Sequence, residues 1–214
     1  MALPILDTRT VAFWTIAAIL GLTIFAPGLY DPVIGVIDAP PMSVADAVYS
    51  GTISGLLAGV VIGIGQYLAV AGRLAGGRAW IGVTILGAAI GGAVVGPLYE
   101  DLHWELRVIP PHGAPGMWLW VLGMAVWGAG IGVGQFLVLR PCSPRAGWWV
   151  VIASGTWALA TVVAFWLHEV QAISLGQTPM NDYLWNDYLW IVIPTGVVVG
   201  ILQPAALRRL LPLH

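Results

Sequence analysis

The sequence predicts an all-helical, polytopic membrane protein in which six transmembrane helices form three tandem helical hairpins. Three observations lead to this fold class. The 214 residues are 59% hydrophobic and only 8% charged, with a mean hydropathy of +0.89, whereas a soluble domain carries about 25% charged residues. Six long apolar runs follow one another along the chain. The charged residues between those runs alternate in sign from one link to the next.

Each apolar run is long enough to cross a membrane. At a rise of about 1.5 Å per residue, about 20 residues cross a hydrocarbon core roughly 30 Å thick. We interpret the first run as a span of the mature protein and not as a signal peptide, because no small-residue cleavage site follows it convincingly. The expected spans cover approximately residues 10–30, 47–71, 79–99, 116–139, 146–167 and 188–207.

The charged residues predict the direction in which each run crosses the membrane. Seven of the eight arginines lie in segments that alternate with segments holding nine of the ten acids. Basic residues near helix ends favour the cytoplasmic side. We therefore expect an integral protein of the plasma (inner) membrane with both termini in the cytoplasm and with the longer, acid-rich links on the outside.

Two patterns recur in alternate runs. The even-numbered runs contain G-x-x-x-G-x-x-Q, and its three copies are Gly59, Gly63 and Gln66; Gly128, Gly132 and Gln135; and Gly196, Gly200 and Gln203. The odd-numbered runs contain W-x6-G, which joins Trp14 to Gly21, Trp80 to Gly87 and Trp148 to Gly155. Three copies of each pattern, in phase and in the same order, indicate internal repetition.

The repetition predicts how the chain is organised. We expect a single transmembrane domain over residues 1–214, with repeat units of approximately 9–72, 73–140 and 141–209. Because each unit has an even number of spans, all three units have the same orientation. They would then be related by pseudo-threefold symmetry about the membrane normal, as in transporters built from parallel repeats.

The repeated residue types are suited to helix packing in lipid. Glycines let helix backbones approach closely, so the glycines of the odd runs are expected to face those of the even runs. A glutamine inside a membrane needs a hydrogen-bonding partner, and an indole N–H donates where an amide oxygen accepts. We therefore predict a tryptophan–glutamine pair within each repeat unit. Two alternatives remain open, namely a slot for a flat ligand among the glycines and a polar constriction lined by the three glutamines.

The outer links hold the side chains best suited to acid–base or metal chemistry. His103, Glu105 and His168 are weak candidates for a metal or an active site, because imidazoles and carboxylates bind Zn²⁺ or transfer protons. Their spacing matches no metal signature, so we predict solvated, acid-rich loops with no metal and no catalytic residue. No Asp, Glu, Lys, Arg or His lies within the six runs, which argues against a pump or an ion-coupled transporter.

The three G-x-x-x-G-x-x-Q helices, two of which are followed by Leu-Arg, resemble a pattern of uncharacterised multi-spanning bacterial membrane proteins. The resemblance covers most of the chain through its repeats and implies no activity. Three tandem two-helix units are also similar in architecture to mitochondrial carriers. The carrier signature of a proline followed by an acid and a base is absent from the odd-numbered runs, so we do not assign that family.

These observations favour a non-enzymatic accessory or scaffold subunit that packs against a larger membrane complex, lipids or pigments. One alternative is a passive channel or facilitator for a small neutral solute, with the three glutamines as a polar ring. A second alternative is a membrane enzyme that uses the outer His/Glu cluster. We predict no cofactor, although a lipid, a quinone or a pigment would suit the glycine-rich faces. The expected partners are membrane lipids and other membrane protein subunits, and not nucleic acid, because no basic patch extends beyond paired arginines.

Overall fold

A computed structural model describes residues 8–34, 43–70, 77–105, 114–174 and 185–210, and over these residues the chain forms six α-helices. Each helix contains a segment that is long and apolar enough to cross a membrane, with a mean hydropathy between 1.5 and 1.9. The fold is therefore that of an integral membrane protein. The helices are α1 (Thr8–Ile34), α2 (Val44–Val70), α3 (Gly77–Glu105), α4 (Ala114–Leu139), α5 (Trp148–Ser174) and α6 (Trp185–Leu210).

Several helices extend past the apolar runs. The helix α3 continues to Glu105 and α5 to Ser174, because the backbone hydrogen bonds of a helix do not depend on the polarity of its side chains. The helix α2 begins after Ser43, whose hydroxyl oxygen accepts the backbone N–H of Asp46 at 3.1 Å and caps the first turn. The helix α6 continues through two internal prolines.

The six helices form a closed ring in chain order. Each helix packs against its neighbours in the sequence, and α1 packs against α6. Neighbours are antiparallel: Gly51 near the start of α2 meets Gly92 of α3, and Gly63 near the end of α2 meets Ile81 near the start of α3. The six arginines of the described residues therefore gather at one end of the ring. We call it the arginine end, and it is defined by Arg9, Arg78, Arg140, Arg145, Arg208 and Arg209.

The helices α2 and α3 are in direct backbone contact. A Cβ atom on Gly51 would collide with the carbonyl oxygen of Gly92, and a Cβ atom on Gly92 would collide with that of Gly51. One turn further along, a Cβ atom on Gly55 would collide with the carbonyl oxygen of Ala88. The hydrophobic effect does not drive helices together in lipid, so this backbone contact supplies van der Waals attraction in its place.

Large side chains fill the inside of the ring. Among the tryptophans whose side chains are described, five have 1% or less of their surface exposed, and these are Trp14, Trp80, Trp127, Trp149 and Trp157. The outer face is apolar instead of polar, as the 63% exposure of both Leu86 and Ile90 on α3 illustrates. An apolar exterior is what a lipid environment requires, because hydrocarbon cannot hydrogen-bond to polar groups.

Candidate functional site: a buried tryptophan–glutamine layer

Three tryptophans meet on the axis of the ring near the arginine end. Trp14, Trp80 and Trp149 come from α1, α3 and α5, and each is fully buried. Their ring centroids are 6.4 Å (Trp14–Trp80), 6.5 Å (Trp14–Trp149) and 6.3 Å (Trp80–Trp149) apart. The interplanar angles of 54° to 78° bring ring edges towards ring faces, which the aromatic quadrupole favours.

Each of these indoles donates its N–H to the side-chain oxygen of a glutamine on an even helix. Trp14 donates to Gln203 at 2.9 Å, Trp80 to Gln66 at 3.2 Å and Trp149 to Gln135 at 2.8 Å. The three glutamines are themselves no more than 1% exposed. We call these six residues the tryptophan–glutamine layer. Its hydrogen bonds join α2 to α3, α4 to α5 and α6 to α1.

The three amides also bond to one another. The Gln135 amide nitrogen donates to Gln66 Oε1 at 2.6 Å, and the Gln66 nitrogen donates to Gln203 Oε1 at 3.4 Å. The Gln203 nitrogen donates instead to the Thr156 hydroxyl at 2.9 Å, and Gln135 makes a second bond of this kind to Thr84 at 3.0 Å. The amides therefore form an open chain that two threonines complete, and the three glutamines lie at one depth.

Two sequence expectations about this layer need correction. The tryptophan of the third copy is Trp149, whereas Trp148 is 63% exposed on the outer surface. The pairs also form between helices of different predicted units and not within one unit. The separation of 14 residues from Gln66 to Trp80 recurs from Gln135 to Trp149. That spacing could have identified the correct residue, but the W-x6-G pattern selected its neighbour.

The glycines of the even helices face the same partners as the glutamines. Cβ atoms on these glycines would press against the next odd helix in the ring. The contacts join Gly59 and Gly63 to α3, Gly128 and Gly132 to α5, and Gly196 and Gly200 to α1.

Of the three odd-helix glycines, Gly87 faces a glycine of an even helix as expected, whereas Gly21 and Gly155 do not. Gly21 faces Ile62, and Gly87 faces Gly130, which lies outside the repeated pattern. Gly155 has open space around its Cβ position. It follows Trp148 on the outer face of α5, so the sequence pattern selected two residues that point away from the ring.

A second set of buried side chains fills the interior of the ring at another depth. The rings of Phe25 and Trp127 stack with centroids 4.2 Å apart, and Trp157 lies 5.0 Å from Trp127. We call these three residues the outer aromatic cluster, because at helical rise they lie about 12 Å further from the arginine end than the tryptophan–glutamine layer. The stacked pair joins α1 to α4 on the opposite side of the ring. Trp127 donates its N–H to the backbone oxygen of Ala88 at 3.1 Å.

The weak metal candidates are not brought together by any described contact. His103 and Glu105 lie in the last turns of α3, and their side chains are outside the described residues. His168 belongs to helix α5 and not to a loop, and it is buried with 8% exposure. Within the described part of the chain, no group of three or more His, Cys, Asp or Glu residues is placed to hold a metal ion.

The fold defines the class of an integral membrane protein, with six helices able to span a bilayer over the part of the chain that is described and with a buried layer of glutamines and tryptophans. Comparisons with protein-family models, with curated proteins and with solved structures found no match.

Proposed function

We propose that this protein is a non-enzymatic accessory or scaffold subunit of a membrane complex. The observation that carries the proposal is that its interior is occupied at two depths, by the tryptophan–glutamine layer and by the outer aromatic cluster. Among the described residues, His168 is the only buried side chain that is ionisable. A relay of ionisable groups, which proton-coupled transport uses, therefore has no support inside the ring.

The outer face supports the same proposal. Leu86, Ile90 and Val94 follow one another at helical spacing on α3 and are each more than half exposed. Residues four apart lie on one side of a helix, so they form a continuous apolar ridge. Because the polar groups of the interior bond to one another, the exterior is the surface through which this protein would act on lipids or other subunits.

We further propose that the arginine end faces the cytoplasm of a bacterial plasma membrane. The support is the segregation of the arginines at one end of the ring. Cys142 is the single cysteine and lies partly exposed in the α4–α5 link at that end. A membrane-impermeant maleimide should label Cys142 only after the cells are permeabilised. Labelling in intact cells would place the arginine end outside.

The ring is proposed to have approximate threefold symmetry about the membrane normal. The support is the near equality of the three distances between indole centroids, 6.3 to 6.5 Å, and the repetition of the indole–amide bond around the ring. The threonines depart from the symmetry, because Thr84 comes four residues after Trp80 whereas Thr156 comes seven after Trp149. The amide nitrogen of Gln66 bonds to Gln203 and not to a threonine in the hydrogen bonds resolved for the described residues.

The scaffold proposal is tested by extraction from native membranes in a mild detergent followed by native mass spectrometry. We expect the mass spectrum to show the protein bound to at least one other membrane protein in fixed stoichiometry. The partner should be lost when the ridge is made polar by L86N and I90N, which face away from the ring. Recovery of the wild-type protein alone, in several mild detergents, would contradict the proposal.

The convergence of the three glutamines carries a second candidate, a passive pathway for a small neutral solute. An amide layer on the axis is where such a pathway would have its polar constriction. Purified protein in liposomes distinguishes the two candidates through the flux of urea or glycerol, measured by light scattering. Under the scaffold proposal, the flux equals that of empty liposomes. A flux that disappears when Gln66, Gln135 and Gln203 are all replaced by leucine would establish the pathway.

A further inference from the structure

The link between α4 and α5 forms an open depression at the arginine end. It has a volume of about 370 Å³ and is lined by Pro144, Arg145, Gly147, Trp148 and Val151. The guanidinium of Arg145 is exposed and makes no ion pair with any described residue. Trp148 is 63% exposed beside it. A free cation and an exposed indole therefore share one concave surface.

Local hydrogen bonds fix the shape of this link. The backbone N–H of Arg145 donates to the Ser143 hydroxyl at 3.2 Å, and that hydroxyl donates to the carbonyl oxygen of Leu210 at 2.7 Å. The N–H of Trp148 donates to the Arg145 carbonyl oxygen at 3.0 Å. These bonds fix the backbone of the link and tie it to the end of α6 through Ser143.

An apolar strip continues from the depression along the outer face of α5. Val151, Gly155 and Leu159 follow at intervals of four residues and are all exposed. Such residues lie one above the other on one face of a helix. Gly155 has nothing within 4 Å of its Cβ position, so the strip is indented at its middle. A shallow apolar strip that leads away from the positively charged Arg145 fits an acyl chain.

The charge of the arginine end favours a negatively charged occupant. Arg78 and Arg140 are also exposed there, and neither is paired with an acid among the described residues. The acids on the described helices lie at the opposite end, for example Asp46 in the first turn of α2. Basic pockets beside transmembrane helices bind anionic lipid head groups through this imbalance of charge.

We propose that this depression binds one anionic phospholipid. The phosphodiester of the lipid accepts hydrogen bonds from the Arg145 guanidinium, which matches phosphate oxygens in geometry and charge. The indole of Trp148 lies at the level of the glycerol backbone, where tryptophan is favoured at membrane interfaces. One acyl chain follows Val151, Gly155 and Leu159. The site goes beyond the scaffold role and requires only that the helices lie in a bilayer.

The test is lipid retention measured by native mass spectrometry on protein exchanged into phosphatidylglycerol or phosphatidylcholine with the same acyl chains. The wild-type protein should retain one phosphatidylglycerol in preference to phosphatidylcholine. Arg145→Gln should reduce that retention about fivefold, as expected for one basic group at an anionic surface. The matched control is Arg78→Gln, which removes an exposed arginine at the same end of the ring. Equal retention of the two lipids, or equal loss in both variants, would overturn the proposal.

A second variant tests the acyl strip separately from the charge. Gly155→Leu fills the indentation at a position whose Cβ site is open, so circular dichroism should match the wild-type protein and the melting temperature should not fall. Retention of phosphatidylglycerol should fall, while Arg145 remains in place. Inorganic phosphate at millimolar concentration should not displace the lipid. Displacement by phosphate, or unchanged retention in Gly155→Leu, would show a simple anion site and refute the lipid assignment.

Discussion

The tryptophan–glutamine layer and the outer aromatic cluster close the same ring in different ways. In the layer, three copies of one sequence pattern supply the glutamines, and every indole N–H bonds to a side-chain amide. In the cluster, one phenylalanine and two tryptophans come from positions with no common pattern, and Trp127 bonds to a backbone oxygen. The layer is therefore stabilised by hydrogen bonds between buried polar side chains, whereas the cluster is stabilised mainly by the packing of its rings.

The largest difference in stability should be between alanine variants of two adjacent tryptophans. Trp149→Ala removes a fully buried indole and leaves a cavity, so we expect the free energy of unfolding to fall by about 3–5 kcal/mol. Trp148→Ala removes an exposed indole and should change the stability by about 0.5 kcal/mol or less. Unfolding by dodecyl sulfate titration from a mild detergent, followed by circular dichroism, measures both. Similar losses in the two variants would show that the burial pattern of α5 is wrong.

An intermediate effect should distinguish the two buried groups directly. Trp149→Phe and Trp127→Phe remove the same ring atoms, but they leave different acceptors behind. Gln135 Oε1 would lose its indole donor in a fully buried site, which costs about 1–3 kcal/mol, while the Ala88 carbonyl oxygen keeps its helical bond. We expect Trp149→Phe to be less stable than Trp127→Phe by about 1 kcal/mol in the same titration. The reverse order would remove the distinction drawn between the layer and the cluster.

The smallest effect concerns the two threonines that complete the amide chain. Thr156→Val removes the acceptor of the Gln203 amide nitrogen and should cost about 1 kcal/mol, whereas Thr84→Val leaves Gln135 bonded to Gln66 and should cost about 0.5 kcal/mol. Double-mutant cycles with Gln203→Leu and Gln135→Leu measure each coupling. Equal couplings would indicate that the chain of amides is symmetric in solution.

The helices and the glutamines of the layer could be predicted from the sequence, because the length of an apolar run and the recurrence of a motif are visible along the chain. The tryptophan that bonds to each glutamine could not be predicted, because residues of one unit along the chain need not be the residues that bond to each other in the fold. Gln66 bonds to Trp80 of the following unit, although Trp14 shares its own unit. The choice between Trp148 and Trp149 depends on which face of α5 turns inward, and packing against α4 and α6 decides that. The stacking of Phe25 on Trp127 follows no repeated pattern and could be found only in the folded chain.

Closure of the ring by α1 and α6 has a consequence for biosynthesis. Trp14 and its acceptor Gln203 are 189 residues apart, so the ribosome produces the first helix long before its last neighbour. During translation the indole N–H of Trp14 has no native acceptor in the membrane. Insertion of the final helix then completes the hydrogen bonding of the first, and a nascent chain that stalls before α6 would expose an incomplete polar seam to lipid or to a chaperone.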